Sequence, residues 1–159
     1  MSKRTPSGAA ATELILDVFK ANGLLLAAGD ELSADEGLSS ARWQVLGAIA
    51  LADRPLTVPQ IARRMGLTRQ SVHATVKRLA DDRLVELAPN ADHRRSPLVR
   101  LTELGRRRYA AIDRRQVAWV NELAQGIGRS ELDSAAHVVG ELCARLESEG
   151  AAQRTRSAA

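Results

Sequence analysis

The sequence predicts a mainly α-helical fold that carries one small, two-stranded β element. Two observations lead there: apolar residues recur at helical spacing along most of the chain, and two short runs of strand character flank a turn-rich segment past its middle. With 159 residues, the chain has room for one compact domain with oligomerisation arms, but not for two full domains. Hydrophobic residues make up 45% of it and charged residues 26%, so a core can be built and wholesale disorder is excluded.

Residues 1–10 and 150–159 are rich in Ser, Ala, Thr and Arg, show no periodicity, and are expected as flexible tails. From about Ala11 to Leu32, the residues Leu14, Val18, Ala21 and Leu25 mark one face of a helix. Asp35-Glu36-Gly37-Leu38-Ser39-Ser40 breaks the pattern and offers an N-cap to a second helix bearing Trp43, Leu46, Gly47 and Ala50. Asp53-Arg54-Pro55 ends that helix.

The run LTVPQIARRMGLTRQSVHATVKRL, residues 56–79, is the most informative. Thr57 and Gln60 have capping-box spacing with Pro59 in the first turn, and Val58, Ile61, Ala62 and Met65 form an apolar stripe. Gly66 stands where a helix ends in the left-handed region. Thr68 then caps a second short helix with Val72, Val76, Leu79 and Ala80 inward, and two such helices about a tight turn read as a helix-turn-helix. Leu84–Leu87 and Leu98–Leu101 follow as strands around PNADHRRSP, a two-stranded wing with Arg94 and Arg95 at its tip. Thr102 caps a long helix reaching about Gln125, with Ile112, Trp119, Leu123 and Ile127 on its stripe. Past Gly126 and Gly128, Ser130 and Asp133 suggest a capping box for a last helix carrying Leu132, Ala135, Ala136, Val139, Cys143 and Leu146.

Charge is unevenly spread. Residues 54–115 hold 15 basic and 6 acidic side chains, whereas residues 1–53 and 116–159 are each mildly acidic. A basic module between acidic arms favours a polyanion through counterion release, although charge alone leaves a plain solvated face open. The lone Cys143 excludes an intramolecular disulfide and suits a reducing cytoplasm. The longest apolar run, Val45 to Ala52, falls well short of the roughly 20 residues of a membrane span. Lys3 and Arg4 precede a segment interrupted by Glu13, Asp17 and Lys20, which is unlike a signal peptide.

The order of helix, helix, helix-turn-helix, wing ending in DHRRSPLVRLTELG, and two further helices resembles the MarR family of winged-helix transcription regulators. The resemblance covers residues 11–149, with a winged-helix lobe at 54–108 and dimerisation helices at 11–34 and 109–149. Its strongest pieces are residues 56–79 and the wing with Leu101-Thr102 and Gly105. One departure stands out: where the family places Asp in an Asp-x-Arg pattern before Leu-Thr, this chain has His93, with Asp92 one place earlier, while Arg95 matches the Arg. The resemblance implies a homodimer held by the terminal helices and an Arg95 that enters the minor groove. It also implies small aromatic or lipophilic effectors between the dimer arms and the lobe, which makes Trp43 a candidate crevice residue.

The helix from Thr68 turns Gln70, His73, Ala74 and Lys77 outward, with Arg69 at its start. Lys and Arg pair with guanine and Gln with adenine in the major groove. Thr68, Ser71 and Thr75 suit phosphate contacts, which position without specifying. Arg63 and Arg64 fit either phosphate clamps or surface charge. In the wing, Arg95 suits a narrow minor groove, and Arg94 suits either DNA or a pair with Asp92. Enzymatic readings find little: His73, His93 and His137 are scattered, no metal-ligand spacing or phosphate-cradling loop appears, and Cys143 reads as a buried structural thiol. The expected protein is a cytoplasmic homodimer without cofactor, binding a palindromic operator in double-stranded DNA. It acts as a repressor released by a small aromatic or apolar ligand; the alternative is an architectural or RNA-binding winged-helix protein without effector.

Overall fold

A computed structural model describes residues 3–52 and 54–157. The elements are α1 (Pro6–Ser33), a 3₁₀ turn (Ala34–Glu36), α2 (Ser40–Ala50), β1 (Leu56–Thr57), α3 (Val58–Met65), α4 (Arg69–Asp81), β2 (Val85–Ala88), β3 (Leu98–Leu101), α5 (Glu103–Leu123) and α6 (Arg129–Ser157). They fall into two compact units, Met1–Ala118 and Trp119–Ala159.

The first unit holds the core. Leu46, Ile61, Leu79, Leu84 and Ile112 are fully buried, together with Val45, Val72 and Val99, so α2, α3, α4, the wing and α5 close on one apolar centre. Each such side chain contributes about 1.5–3 kcal/mol on leaving water. Gly105 makes the closure possible: a Cβ there would stand 2.0 Å from the Leu84 carbonyl oxygen. The start of α5 thus lies directly against the backbone leading into the wing. Thr102 Oγ1 reinforces the junction, accepting from Gly105 N–H at 3.0 Å and donating to the Arg83 carbonyl at 2.7 Å.

The sheet has three strands rather than the expected two, in the order β1-β3-β2, all antiparallel. Leu56 pairs with Val99 and Thr57 with Leu98, a pairing too short to leave any alternation in the sequence. The wing hairpin matches the expected one with β2 shifted by a residue: Val85 faces Leu101 and Leu87 faces Val99.

Helix α1 begins at Pro6, not near Ala11, because Thr5 caps it by accepting from Gly8 N–H at 3.0 Å and Pro6 occupies its first turn. α6 likewise runs on to Ser157, through Ala and Gln residues whose helical propensity needs no buried stripe. Most of the two expected tails is therefore helical, while residues 1, 2, 158 and 159 lie outside the described residues. The start of α2 is also served differently from expectation. Ser39 makes no side-chain cap; instead Ser40 N–H donates to Asp30 Oδ1 of α1 at 2.6 Å, where Gly29 lets the two helices approach closely. α5 ends at Leu123, two residues before the expected Gln125.

In the second unit, Gly126 takes a left-handed φ of 82° and α6 follows. Its first turn is closed by Glu131, whose carboxylate accepts from Gly128 N–H at 2.8 Å, and not by the expected Ser130 and Asp133 box. Asp133 pairs with Arg129 instead, at 3.6 Å. No α6 residue whose side chain is described is buried.

Candidate nucleic-acid interface

The helix-turn-helix forms as its local signals require. Thr57 and Gln60 make the capping box, with Thr57 N–H donating to Gln60 Oε1 at 2.8 Å, and Gly66 turns the chain at φ 63°. Thr68 caps α4 by accepting from Ser71 N–H at 3.1 Å. Val72, Val76 and Leu79 then anchor α4 in the core, leaving Arg69, Gln70, Ser71, His73 and Lys77 exposed.

The far end of α4 is held by a feature that the sequence reading missed. Asp82 follows the helix and forms an ion pair with Arg42 of α2, whose side chain is largely covered. An anion at a helix C-terminus is unfavourable by itself, so the guanidinium offsets it while fixing α4 to α2. Arg83 next takes a left-handed φ of 58° and turns the chain into the wing.

The wing loop between β2 and β3 is shaped by Asn90, which accepts from Asp92 N–H at 3.1 Å and donates from its amide to the Ser96 carbonyl at 2.8 Å. This fold brings Arg95 round to face α4. A concavity of about 740 Å³ opens between them, and five expected residues line it: Arg69, Gln70, His73 and Lys77 from α4, and Arg95 from the wing. Its floor is apolar, with Val58, Val76 and the half-exposed Leu87. Hydrogen-bonding and cationic side chains therefore project above a shape-setting base.

Other expected residues lie elsewhere. Arg94 is exposed outside this concavity, and among the described residues it forms no ion pair with Asp92. Thr68 serves as cap, and the Thr75 hydroxyl donates to the Ser71 carbonyl at 3.1 Å. Arg64 resolves toward a structural bond, donating to the Leu51 carbonyl at 3.1 Å at the end of α2, whereas Arg63 remains exposed.

Trp43 is half-buried and lines a separate crevice of about 410 Å³ with Met65, Arg64, Tyr109, Asp113 and Gln116. Burial, and then the Asp113 carboxylate beside it, push the Tyr109 phenol above its ordinary range, so it remains a neutral donor. Cys143 corrects an expectation: it is exposed, on a helix of which no described side chain is buried. Among the described residues no group of three or more His, Cys, Asp or Glu could hold a metal ion, and no helix is long and apolar enough to cross a membrane.

Comparison with known proteins agrees with this geometry. Residues 36–96 match the profile of the MarR family. The chain is 42% identical over 136 residues to the uncharacterized protein Rv2011c of Mycobacterium tuberculosis, covering 86% of this chain and 94% of that one. It is 31% identical over 101 residues to the transcriptional activatory protein BadR of Rhodopseudomonas palustris, covering 60% and 56%. Among solved structures, AbsC, a MarR family transcriptional regulator from Streptomyces coelicolor, shares the fold with a TM-score of 0.77 at 17% identity, over 93% of this chain and 99% of that one. CouR from Rhodococcus jostii RHA1, solved bound to p-coumaroyl-CoA, does so with a TM-score of 0.71 at 22% identity, over 79% and 87%. With helix-turn-helix, wing and flanking helices in the same order, the chain belongs to the MarR family of winged-helix transcription regulators.

Proposed function

We propose that the protein is a homodimeric regulator that binds double-stranded DNA in a sequence-specific way and represses transcription until a small molecule releases it. The observation that carries this reading is the concavity between α4 and the wing. There Arg69, Gln70, His73 and Lys77 present donors and acceptors for base edges in the major groove, and Arg95 stands beside them for the adjacent minor groove. Exposed Thr68, Ser71 and Arg94, with half-buried Thr75, suit contacts to backbone phosphates.

Dimerisation rests on the apolar faces left open. α1 exposes Leu16, Phe19, Leu24 and Leu25, and α6 exposes Leu132, Val138 and Leu146, apolar surface that gains by being covered. A second copy related by a two-fold axis would cover it and present two recognition helices to a palindromic operator with half-sites about 34–36 Å apart. For the effector, the Trp43 crevice has a volume in the small-molecule range of roughly 300–1,000 Å³, with aromatic walls at Trp43 and Tyr109. That CouR was solved with p-coumaroyl-CoA supports an aromatic ligand class. The cytoplasm is the compartment this function requires.

The test is to select bound fragments from random duplex DNA. The recovered site should be palindromic and preferred over random duplex by about 10³ or more. Equal binding to all duplexes or to RNA would favour the architectural reading. The complex is then titrated with aromatic acids, phenols and, separately, peroxide, with Trp43→Phe and Cys143→Ser as controls. Release by peroxide that vanishes in Cys143→Ser would replace the ligand by thiol chemistry. Reporter expression in the presence and absence of the protein decides the sign of regulation, for which the activatory name of BadR supplies the opposite expectation.

A further inference from the structure

The wing loop has two sides, and the recognition concavity occupies only one. On the other side, between the loop, the start of α3 and the turn before β1, lies a second cleft of about 540 Å³. Its charged lining is Arg54 from the turn, Arg63 from α3, and Asp92 and His93 from the loop, with the amides of Gln60 and Asn90 beside them. Arg54, Arg63, Asp92 and His93 are all exposed, and neither Arg63 nor Asp92 is in an ion pair among the described residues. The two clefts share Pro59 and Ser96, so a duplex seated against α4 and the wing passes the second cleft within one continuous surface.

We infer that this second cleft seats a backbone phosphate of the same duplex, and that His93 makes the seat proton-dependent. The inference rests on the DNA-binding reading above and extends it to residues outside the recognition helix. With a neutral imidazole the cleft carries two guanidiniums against the Asp92 carboxylate; a proton on His93 doubles its net charge from +1 to +2. Imidazole is the side chain whose charge ordinarily changes between about pH 5 and 8. A phosphate held beside it favours the charged form, so by linkage binding takes up a proton and strengthens as pH falls. His73 obeys the same physics in the recognition concavity. There it faces Arg69, Lys77 and Asp81 of its own helix and Arg95 of the wing, so a proton changes a larger existing charge by a smaller fraction, and α3 and β2 present it only apolar side chains. His137 lies on α6, outside both clefts.

The experiment measures affinity of the full chain for its selected duplex by fluorescence anisotropy at pH 6 and pH 8, each over a salt series. The variants are His93→Gln, His73→Gln, His137→Gln and Arg63→Gln, with folding checked by circular dichroism. Wild type should bind about tenfold or more tightly at pH 6. His93→Gln should remove at least half of that gain, and His137→Gln should leave the gain intact. Arg63→Gln should reduce the salt slope by about 1 per protomer at both pH values without changing the preferred sequence. An undiminished pH gain in His93→Gln overturns the proton-dependent seat, and an undiminished salt slope in Arg63→Gln overturns phosphate contact in the cleft. If wild type binds no duplex at either pH in low salt, the DNA-binding reading itself fails, which is a separate outcome.

Discussion

Every buried hydrophobic side chain among the described residues lies between Leu38 and Ile112, whereas the 28-residue α1 buries only Gly29 and Ser33 and α6 buries no described side chain. Both regions are rich in Leu, Val and Ala. The difference is that the winged lobe finds its partners within the chain, where α2, α3 and α4 meet around Leu46, Ile61 and Leu79. The long helices carry large apolar side chains that stay exposed, such as Leu16 and Phe19 on α1 and Leu132 and Leu146 on α6. One region closes its own core, and the other leaves large apolar side chains exposed.

The largest expected effect tests that division. Deleting residues 131–159 should give a monomer or aggregate and cost about 10²–10⁴ in operator affinity, because the two half-sites are no longer engaged together. Sedimentation with a binding isotherm checks it, and a soluble, fully active monomer would remove the distinction between the regions. In the lobe, Leu79→Ala should destabilise by about 2–5 kcal/mol in urea unfolding, as a cavity opens in a fully buried site. Leu16→Ala, at 60% exposure, should change unfolding of the isolated subunit by less than about 0.5 kcal/mol yet weaken dimerisation measured by dilution.

Smaller effects separate residues within the interface. Gln70→Ala or Lys77→Ala should cost about 1–3 kcal/mol at defined base pairs and relax specificity there, whereas Arg95→Ala should weaken binding strongly with the thermal midpoint unchanged. Unchanged affinity in Arg95→Ala would show that the wing does not touch DNA. Thr68→Ala should cost about 1 kcal/mol of stability through the lost cap on α4.

The smallest effect concerns Tyr109. Its absorbance titration should have a midpoint above the usual phenol value, lowered in Asp113→Asn but not fully restored, since burial is the larger cause. Because the folded state holds this proton more tightly, the associated stability is complete below pH of about 10 and is lost as pH rises through the shifted value.

How much could be read in advance varies by residue and follows the range of each interaction. The capping box of Thr57 and Gln60, the Gly66 turn and the Thr68 cap each act over three or four residues, so they were legible without a partner. The capped start of α1 at Thr5 is equally local, but no apolar periodicity marks it. Arg64 shows the limit: its sequence neighbourhood fits a phosphate clamp and a surface charge equally, and only the position of Leu51 gives it a bond. Arg42 and Asp82 lie 40 positions apart, and no spacing announces their ion pair.

Local sequence sets the run of helices, the caps at Thr57 and Thr68, the turn and wing, and which face of α4 is polar, because backbone hydrogen bonding and apolar periodicity are short-range constraints. Tertiary structure decided what those elements meet. It set two residues of β1 against β3, placed Gly105 against Leu84 where no Cβ fits, and turned Arg95 toward α4 while His93 faced Arg54 and Arg63. It also left Cys143 exposed on a stripe that reads as core. An apolar stripe states only that a face seeks cover; whether the cover comes from the same chain depends on how the whole chain closes, and that closure is settled by packing many distant residues at once.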